Sequence, residues 1–382
     1  MVELALYVHW PWCVKKCPYC DFNSYACAAI PENDYIEALL AHARHCAPRL
    51  ASRPIHSVFV GGGTPSLISV NAFERLMRGL RESFCFTGDA EITMEANPGT
   101  VESARFAHYA ECGVNRFSLG VQSFNDEMLK ALGRIHTSAQ AQSAIDLALS
   151  LVPKVNIDLM YALPNQTLKQ LEEDVARALR FQTQHLSYYE LTLEAGSVYF
   201  KNPPSGLPDS DLTADMGERV HAAFTEAGYG HYEISGYAKP GFECRHNKTY
   251  WTFGDYVGIG AGAHGKITDE DGIERTVCAS SPAQYMKDVR EGRFFGGVRR
   301  VNERELVFEF MLNALRLTDG VPSGRFKETT GLELDAADNK LTLLREKGLI
   351  GSDASRIVAT TLGRRFLSNV LETFLSSGEN GE

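Results

Sequence analysis

Three cysteines packed into Cys13-Val-Lys-Lys-Cys17-Pro-Tyr-Cys20 constrain this chain more than any other stretch. They follow the apolar run from Leu4 to His9, which is short, rich in β-formers and reads as a strand. The CxxxCxxC spacing therefore lies on the loop that leaves the first strand. Thiolates so placed can converge on one soft metal centre. Structural zinc is the competing reading, but it usually takes four ligands, commonly as two pairs, and the sequence has no second pair. Three thiolates suit a 4Fe–4S cluster with one iron left open to another ligand.

Strand-like and helix-like runs then alternate. Strands are expected at Leu4–His9, Ser57–Val60, Glu91–Glu95, Arg116–Gly120, Lys154–Met160 and Leu186–Leu193. Helical spacing falls between them at Asp34–Cys46, Asn71–Phe84, Ser103–Cys112, Ser138–Ser150 and Gln166–Phe181. Six such units predict parallel strands joined by crossover helices. In a barrel of this kind, functional residues gather where strands end and loops begin. The cysteines follow the first strand, Gly61-Gly62-Gly63-Thr64-Pro65 the second, and Glu95 closes the third. Gln122 follows the fourth, Asp158 lies near the end of the fifth and Tyr189 in the sixth. A glycine run alone is an ordinary turn. Here it sits at a strand end behind a thiolate loop, where missing side chains let backbone approach a ligand.

The stretch with its flanks, Tyr7-Val-His-Trp-Pro-Trp-Cys13-Val-Lys-Lys-Cys17-Pro-Tyr-Cys20-Asp-Phe22, resembles the radical S-adenosylmethionine (SAM) superfamily. Within it the resemblance is to the HemW family of heme chaperones, relatives of the oxygen-independent coproporphyrinogen III oxidase HemN. It runs over nearly the whole chain. It implies an incomplete (β/α)6 TIM-like barrel, with the open iron of the cluster chelated by SAM. It further implies that Gly62, Gly63, Thr64, Glu95, Gln122, Arg134 and Asp158 hold SAM. Tyr7 matches a SAM-contacting tyrosine, and Tyr19 an aromatic beside the adenine. Cys13, Cys17 and Cys20 are the implied cluster ligands.

From about Ala195 the alternation stops. Asp211–Gly228 reads as a helix, followed by a strand and turn from Tyr232. Gly258-Ile-Gly260-Ala-Gly262 lacks the helix that a dinucleotide fingerprint needs, so backbone packing against a flat ligand is expected. Between them, His246-Asn247-Lys-Thr-Tyr250-Trp251 matches the HNxxYW motif that the HemW family associates with heme. Histidine is a common axial ligand of heme iron, and the aromatics offer flat apolar faces. Read from the residues alone, the same motif is a turn with core aromatics. His246 is the candidate heme residue, with Cys244, His231 and His264 as alternative iron ligands. After about Arg300, helices at Glu303–Ala314, Pro322–Thr329, Ala336–Lys347 and Leu362–Phe374 enclose two short strands, Leu349–Asp353 and Arg356–Thr361. That pattern predicts a winged-helix-like C-terminal domain. The expected division is 1–200 for the barrel, 201–300 for a barrel extension carrying the motif, and 301–382 for the C-terminal domain.

The net charge of −10 argues against a nucleic-acid partner. No apolar run is long enough to span a membrane. Without a signal-like start and with an oxygen-sensitive cluster, a cytoplasmic setting is expected. The resemblance implies heme as cargo and hemoproteins such as respiratory cytochromes as acceptors. The alternative is a coproporphyrinogen oxidase-like enzyme of porphyrin biosynthesis. Two departures weigh against it: the oxidase family carries a further cysteine where this chain has Phe22, and it carries an extension ahead of the cysteine motif.

Overall fold

The protein is described by a computed structural model covering residues 2–50 and 52–375. Six strands form its centre: β1 (Leu4–Trp10), β2 (Ile55–Gly62), β3 (Phe86–Ala96), β4 (Arg116–Gln122), β5 (Lys154–Tyr161) and β6 (His185–Glu190). They pair in sequence order, all parallel. Their central residues are mostly buried, as strands covered on both faces must be, whereas Gly88 and Asp89 in β3 and the last two residues of β6 are exposed. The crossover helices lie where expected, and their starts are set by local capping. Thr137 and Thr167 each close a capping box with Gln140 and Gln170. The second box explains why the last crossover helix begins at Leu168 and not at Gln166.

The sheet extends beyond these six strands. Past β6 come β7 (Gly230–Glu233) and β8 (Gly236–Ala238), with β8 antiparallel to β6. Past β1 come β9 (Asp255–Ile259), β10 (His264–Asp269), β11 (Gly272–Val277) and β12 (Gly297–Arg300), with β9 parallel to β1 and the others antiparallel. The result is one open twelve-stranded sheet whose two edges do not meet. It is the incomplete barrel expected, lengthened by strands of the 201–300 segment on both sides.

The C-terminal part is mainly helical, as expected, with its own apolar cluster around Phe310, Phe326, Leu341 and Val370. Three details differ from the sequence reading. Pro322 leaves the expected helix and pairs with Arg356 in a two-residue ladder. The expected strand Leu349–Asp353 reduces to a single bridge between Ile350 and Ala359. The expected helix Leu362–Phe374 breaks at Phe366 into Thr361–Arg365 and Leu367–Glu372, because Phe366 takes a non-helical ψ of 35°. Among the described residues no helix is long and apolar enough to cross a membrane.

β9 begins on a buried charge cluster. Asp255 meets Arg53 at 2.8 Å and Lys266 at 2.9 Å, and accepts from the Thr268 amide and hydroxyl. Burial raises the Asp255 carboxyl, but Lys266 and the hydrogen bonds outweigh it and hold its pKa below the ordinary value. Lys266 itself is pushed down to about 8 by burial. Removing one partner of such a pair leaves a buried charge uncompensated, which costs about 3–5 kcal/mol. Asp255→Ala should therefore lower the free energy of urea unfolding by about that amount. A loss below about 1 kcal/mol would show that water reaches Lys266 without it. The Asp255 contribution is present at neutral pH and is lost as pH falls below about 4.

Candidate cluster and cofactor site

Two adjoining cavities open at the C-terminal ends of the parallel strands. The first, of about 330 Å³, is lined by Cys13, Cys17, Cys20, Tyr19, Gly62, Gly63, Thr64, Glu95, Gln122, Arg134, Asp158 and Tyr189. The structure thus gathers nearly every residue expected around SAM into one space, from five strand ends and the cysteine loop. The loop is held by a short parallel pairing of Trp12–Cys13 with Tyr25–Ala26 and by the bond from Cys27 N to Cys13 O. It is tied to the glycine run by Gly63 N to Trp10 O (2.6 Å) and Thr64 N to Trp12 O (2.8 Å).

The glycines are required by this close approach. Gly62 takes φ +113°, and a Cβ there would lie 2.4 Å from the His9 ring. A Cβ on Gly63 would lie 2.5 Å from the Trp12 carbonyl oxygen. The amide of Gly62 donates to Glu95 Oε2 at 2.9 Å. Burial, with Asp158 adding to it, pushes the Glu95 carboxyl up to about 8. Asp158 accepts from Ser118 Oγ and Asn156 Nδ2, at 2.9 and 2.8 Å. Arg134 donates to Gly120 O at 2.6 Å and reaches Tyr19 Oη at 3.5 Å and Cys17 Sγ at 3.6 Å, while its Nε is buried without a partner. Gln122 sits at φ +69°, a left-handed conformation that non-glycine residues adopt at a cost of order 1–3 kcal/mol. Such strain concentrates where a side chain must be aimed at a ligand.

The donor set fits a cluster. All cysteines among the described residues are free. No three His, Cys, Asp or Glu side chains among those residues close around a single ion. A mononuclear zinc site would need that closure. A cubane does not, because each thiolate binds a different iron.

The second cavity, of about 420 Å³, is walled by Tyr250, Trp251, Phe253 and Tyr256 together with Tyr7, His9, His264, Lys266 and Arg275. It shares Phe22, Gly62 and Glu95 with the first cavity. Phe22 is 55% exposed between them. Tyr7 lines this second space and not the first: its hydroxyl binds His9 Nδ1 at 3.0 Å and its ring stacks on Phe59.

The HNxxYW segment is a short helix, Arg245–Trp251, and not a turn. Helical spacing puts His246 against Tyr250 on consecutive turns. His246 Nε2 lies 2.8 Å from Tyr250 Oη, and Nδ1 lies 3.2 Å from Ser57 Oγ. The His246 ring is buried behind the cavity wall, and burial pushes its pKa down to about 3. With both nitrogens engaged, it does not face the space where a ligand would sit. Cys244 is likewise buried, and His231 stacks on Tyr237. The glycine run 258–262 also departs from expectation. Gly258 and Gly260 close on the protein's own backbone at His264 and His9, and Gly262 on the Asn23 side chain. Lys266 and Arg275 come from the β10–β11 hairpin, which the sequence reading missed. Its signal is Asp271-Gly272 between alternating residues, with Gly272 at φ +109°.

Comparisons with known proteins agree with this layout. The radical SAM superfamily profile matches residues 7–178, and that of the HemN C-terminal domain matches 301–366. The chain is 43% identical over 380 residues to the heme chaperone HemW of Haemophilus influenzae, covering 98% of both chains. It is 44% identical over 376 residues to that of Escherichia coli, again covering 98% of both. The solved structure of the Escherichia coli coproporphyrinogen III oxidase HemN, a radical SAM enzyme, superposes with a TM-score of 0.84 at 26% identity, over 98% of this chain and 90% of that one. Identity of this order along the full shared length places the chain in the HemW family.

Proposed function

We propose that this protein is a heme chaperone that binds heme beside a SAM-bound 4Fe–4S cluster and passes it to acceptor hemoproteins, respiratory cytochromes among them, in the cytoplasm. The observation that carries the reading is the aromatic cavity of Tyr250, Trp251, Phe253 and Tyr256, adjoining the cysteine cavity across Phe22 and Glu95. Flat apolar walls suit a porphyrin face. In this reading Cys13, Cys17 and Cys20 hold the cluster. Gly62, Gly63, Thr64, Glu95, Gln122, Arg134 and Asp158 hold SAM, with Tyr19 at its edge. A reduced cluster of this type supplies one electron to SAM. His246 serves by positioning Tyr250, and Tyr7 belongs to the heme side. The 1–200 segment carries the cluster, 201–300 completes the heme cavity, and 301–382 offers a surface for an acceptor.

The shared fold with HemN keeps the oxidase reading as the alternative. Phe22, standing where that family has a further cysteine, favours the chaperone. Radical chemistry also needs a site closed to water, and Phe22 is largely exposed. Titration of the anaerobically reconstituted protein with hemin should give a Soret band that saturates near one heme per chain. Coproporphyrinogen III supplied with SAM and a reductant should remain unconverted. SAM-dependent formation of protoporphyrinogen IX would end the chaperone reading in favour of the oxidase.

A further inference from the structure

Two histidines line the aromatic cavity, and they differ in what their nitrogens already do. His9 is committed: Nδ1 lies 3.0 Å from Tyr7 Oη and Nε2 lies 2.9 Å from Asn23 O. His264 heads β10 at the cavity wall with an exposed side chain, and its ring has no hydrogen-bond partner among the described residues. Its backbone is rigidly placed. The carbonyl packs against Gly258 so closely that a Cβ there would lie 2.0 Å away, and the residue is paired with Val277 across β10 and β11.

We propose that His264 supplies the axial imidazole to heme iron in this cavity, with Tyr250 and Trp251 forming the apolar wall. The proposal rests on the heme-chaperone reading and adds the ligand to it. Coordination needs a neutral imidazole with a free lone pair. Partial desolvation at the cavity wall, with the Arg275 charge adding to it, holds the His264 pKa below the ordinary imidazole value and so favours the neutral ring.

Tyr250 is the rival ligand in the same wall, since a phenolate can hold heme iron. It is disfavoured here on two counts. Its hydroxyl is already bound to His246, and burial holds its proton well above the ordinary phenol range. A ligand at the exposed end of the cavity also suits delivery. One imidazole occupies one face of the iron and leaves the other for a ligand from the acceptor.

The test is hemin titration of the reconstituted full-length protein, read by Soret position and dissociation constant. His264→Ala should shift the Soret band and weaken binding at least about tenfold, a loss near 1.4 kcal/mol. Added imidazole should restore the band. His264→Cys should keep heme with a thiolate-type spectrum, and normal iron and sulfide content in each variant shows that the fold is intact. An unshifted band in His264→Ala, with or without weaker binding, overturns the assignment. So does a shift caused by Tyr250→Phe and not by His264→Ala. In both cases wild-type heme binding persists and the chaperone reading survives. Absence of heme binding in the wild type would end that reading itself.

Discussion

Replacing any one of Cys13, Cys17 and Cys20 with Ala should abolish stoichiometric iron and sulfide binding, while Cys27→Ala should leave it intact. The contrast is sharp because Cys27 is close by. Its amide bonds to the Cys13 carbonyl at 3.2 Å, yet its thiol turns away to the Ala29 carbonyl at 3.2 Å and does not line the cavity. Cys46, Cys85, Cys112 and Cys278 lie outside that cavity and should also be dispensable. Cluster assembly should carry a pH signature too. Burial raises the thiol pKa of Cys13 and of Cys20, so loading iron on these residues must release protons. Reconstitution should therefore strengthen as pH rises through the alkaline range. Iron and sulfide analysis of the single variants, and of wild type across pH, checks both statements. Full content in the triple variant would remove the assignment of the cysteines.

The barrel was legible in the sequence because parallel strands buried on both faces read as continuous apolar runs, and because their loops carry the chemistry. Glu95, Gln122 and Asp158 could be placed at strand ends before any contact was known, and they do line one cavity. Arg134 could not be placed that way. It sits after the short helix Asp126–Ala131, which the sequence reading missed; it is anchored on Gly120 O and reaches Tyr19 and Cys17 Sγ directly. The second cavity was less legible for a related reason. Its walls come from segments distant in sequence, the Arg245–Trp251 helix, the β10–β11 hairpin and the cysteine loop. The direction of the His246 ring was not legible in the sequence either. A motif gives a residue's spacing, but only the packing of Arg245–Trp251 against β2 decides that His246 turns to Ser57 and Tyr250 faces the cavity. The C-terminal strands were over-read because Gly351 and Ser352 support a bend as readily as a strand.

Glu95→Gln should separate SAM binding from cluster binding. The substitution removes the charge but keeps an oxygen that can accept from the Gly62 amide, now donated to Glu95 Oε2. In the proposed pocket the Glu95 carboxylate holds SAM through a charged hydrogen bond, which contributes about 1.5–3 kcal/mol. Equilibrium dialysis with labelled SAM should then show binding weakened on the order of ten- to a hundredfold at unchanged iron and sulfide content. Asp158→Ala should behave similarly, since it removes the acceptor now held by Ser118 and Asn156. Unchanged SAM affinity in both variants would dissolve the pocket. The same residue makes a second, opposite prediction for the protein without SAM. Burial keeps Glu95 protonated up to about pH 8 in the folded chain, whereas an unfolded chain ionises it near its ordinary value of 4.5. The folded state therefore binds the extra proton, and its stability falls as pH rises from about 4.5 to about 8, then levels. Glu95→Gln cannot ionise and escapes that fall. Its melting temperature should gain on the wild type across this range and hold the gain above it. A constant difference between the two proteins from pH 5 to pH 8 would show that the carboxyl is already ionised and solvated in the open cavity. The charge that SAM needs would then come without a stability cost.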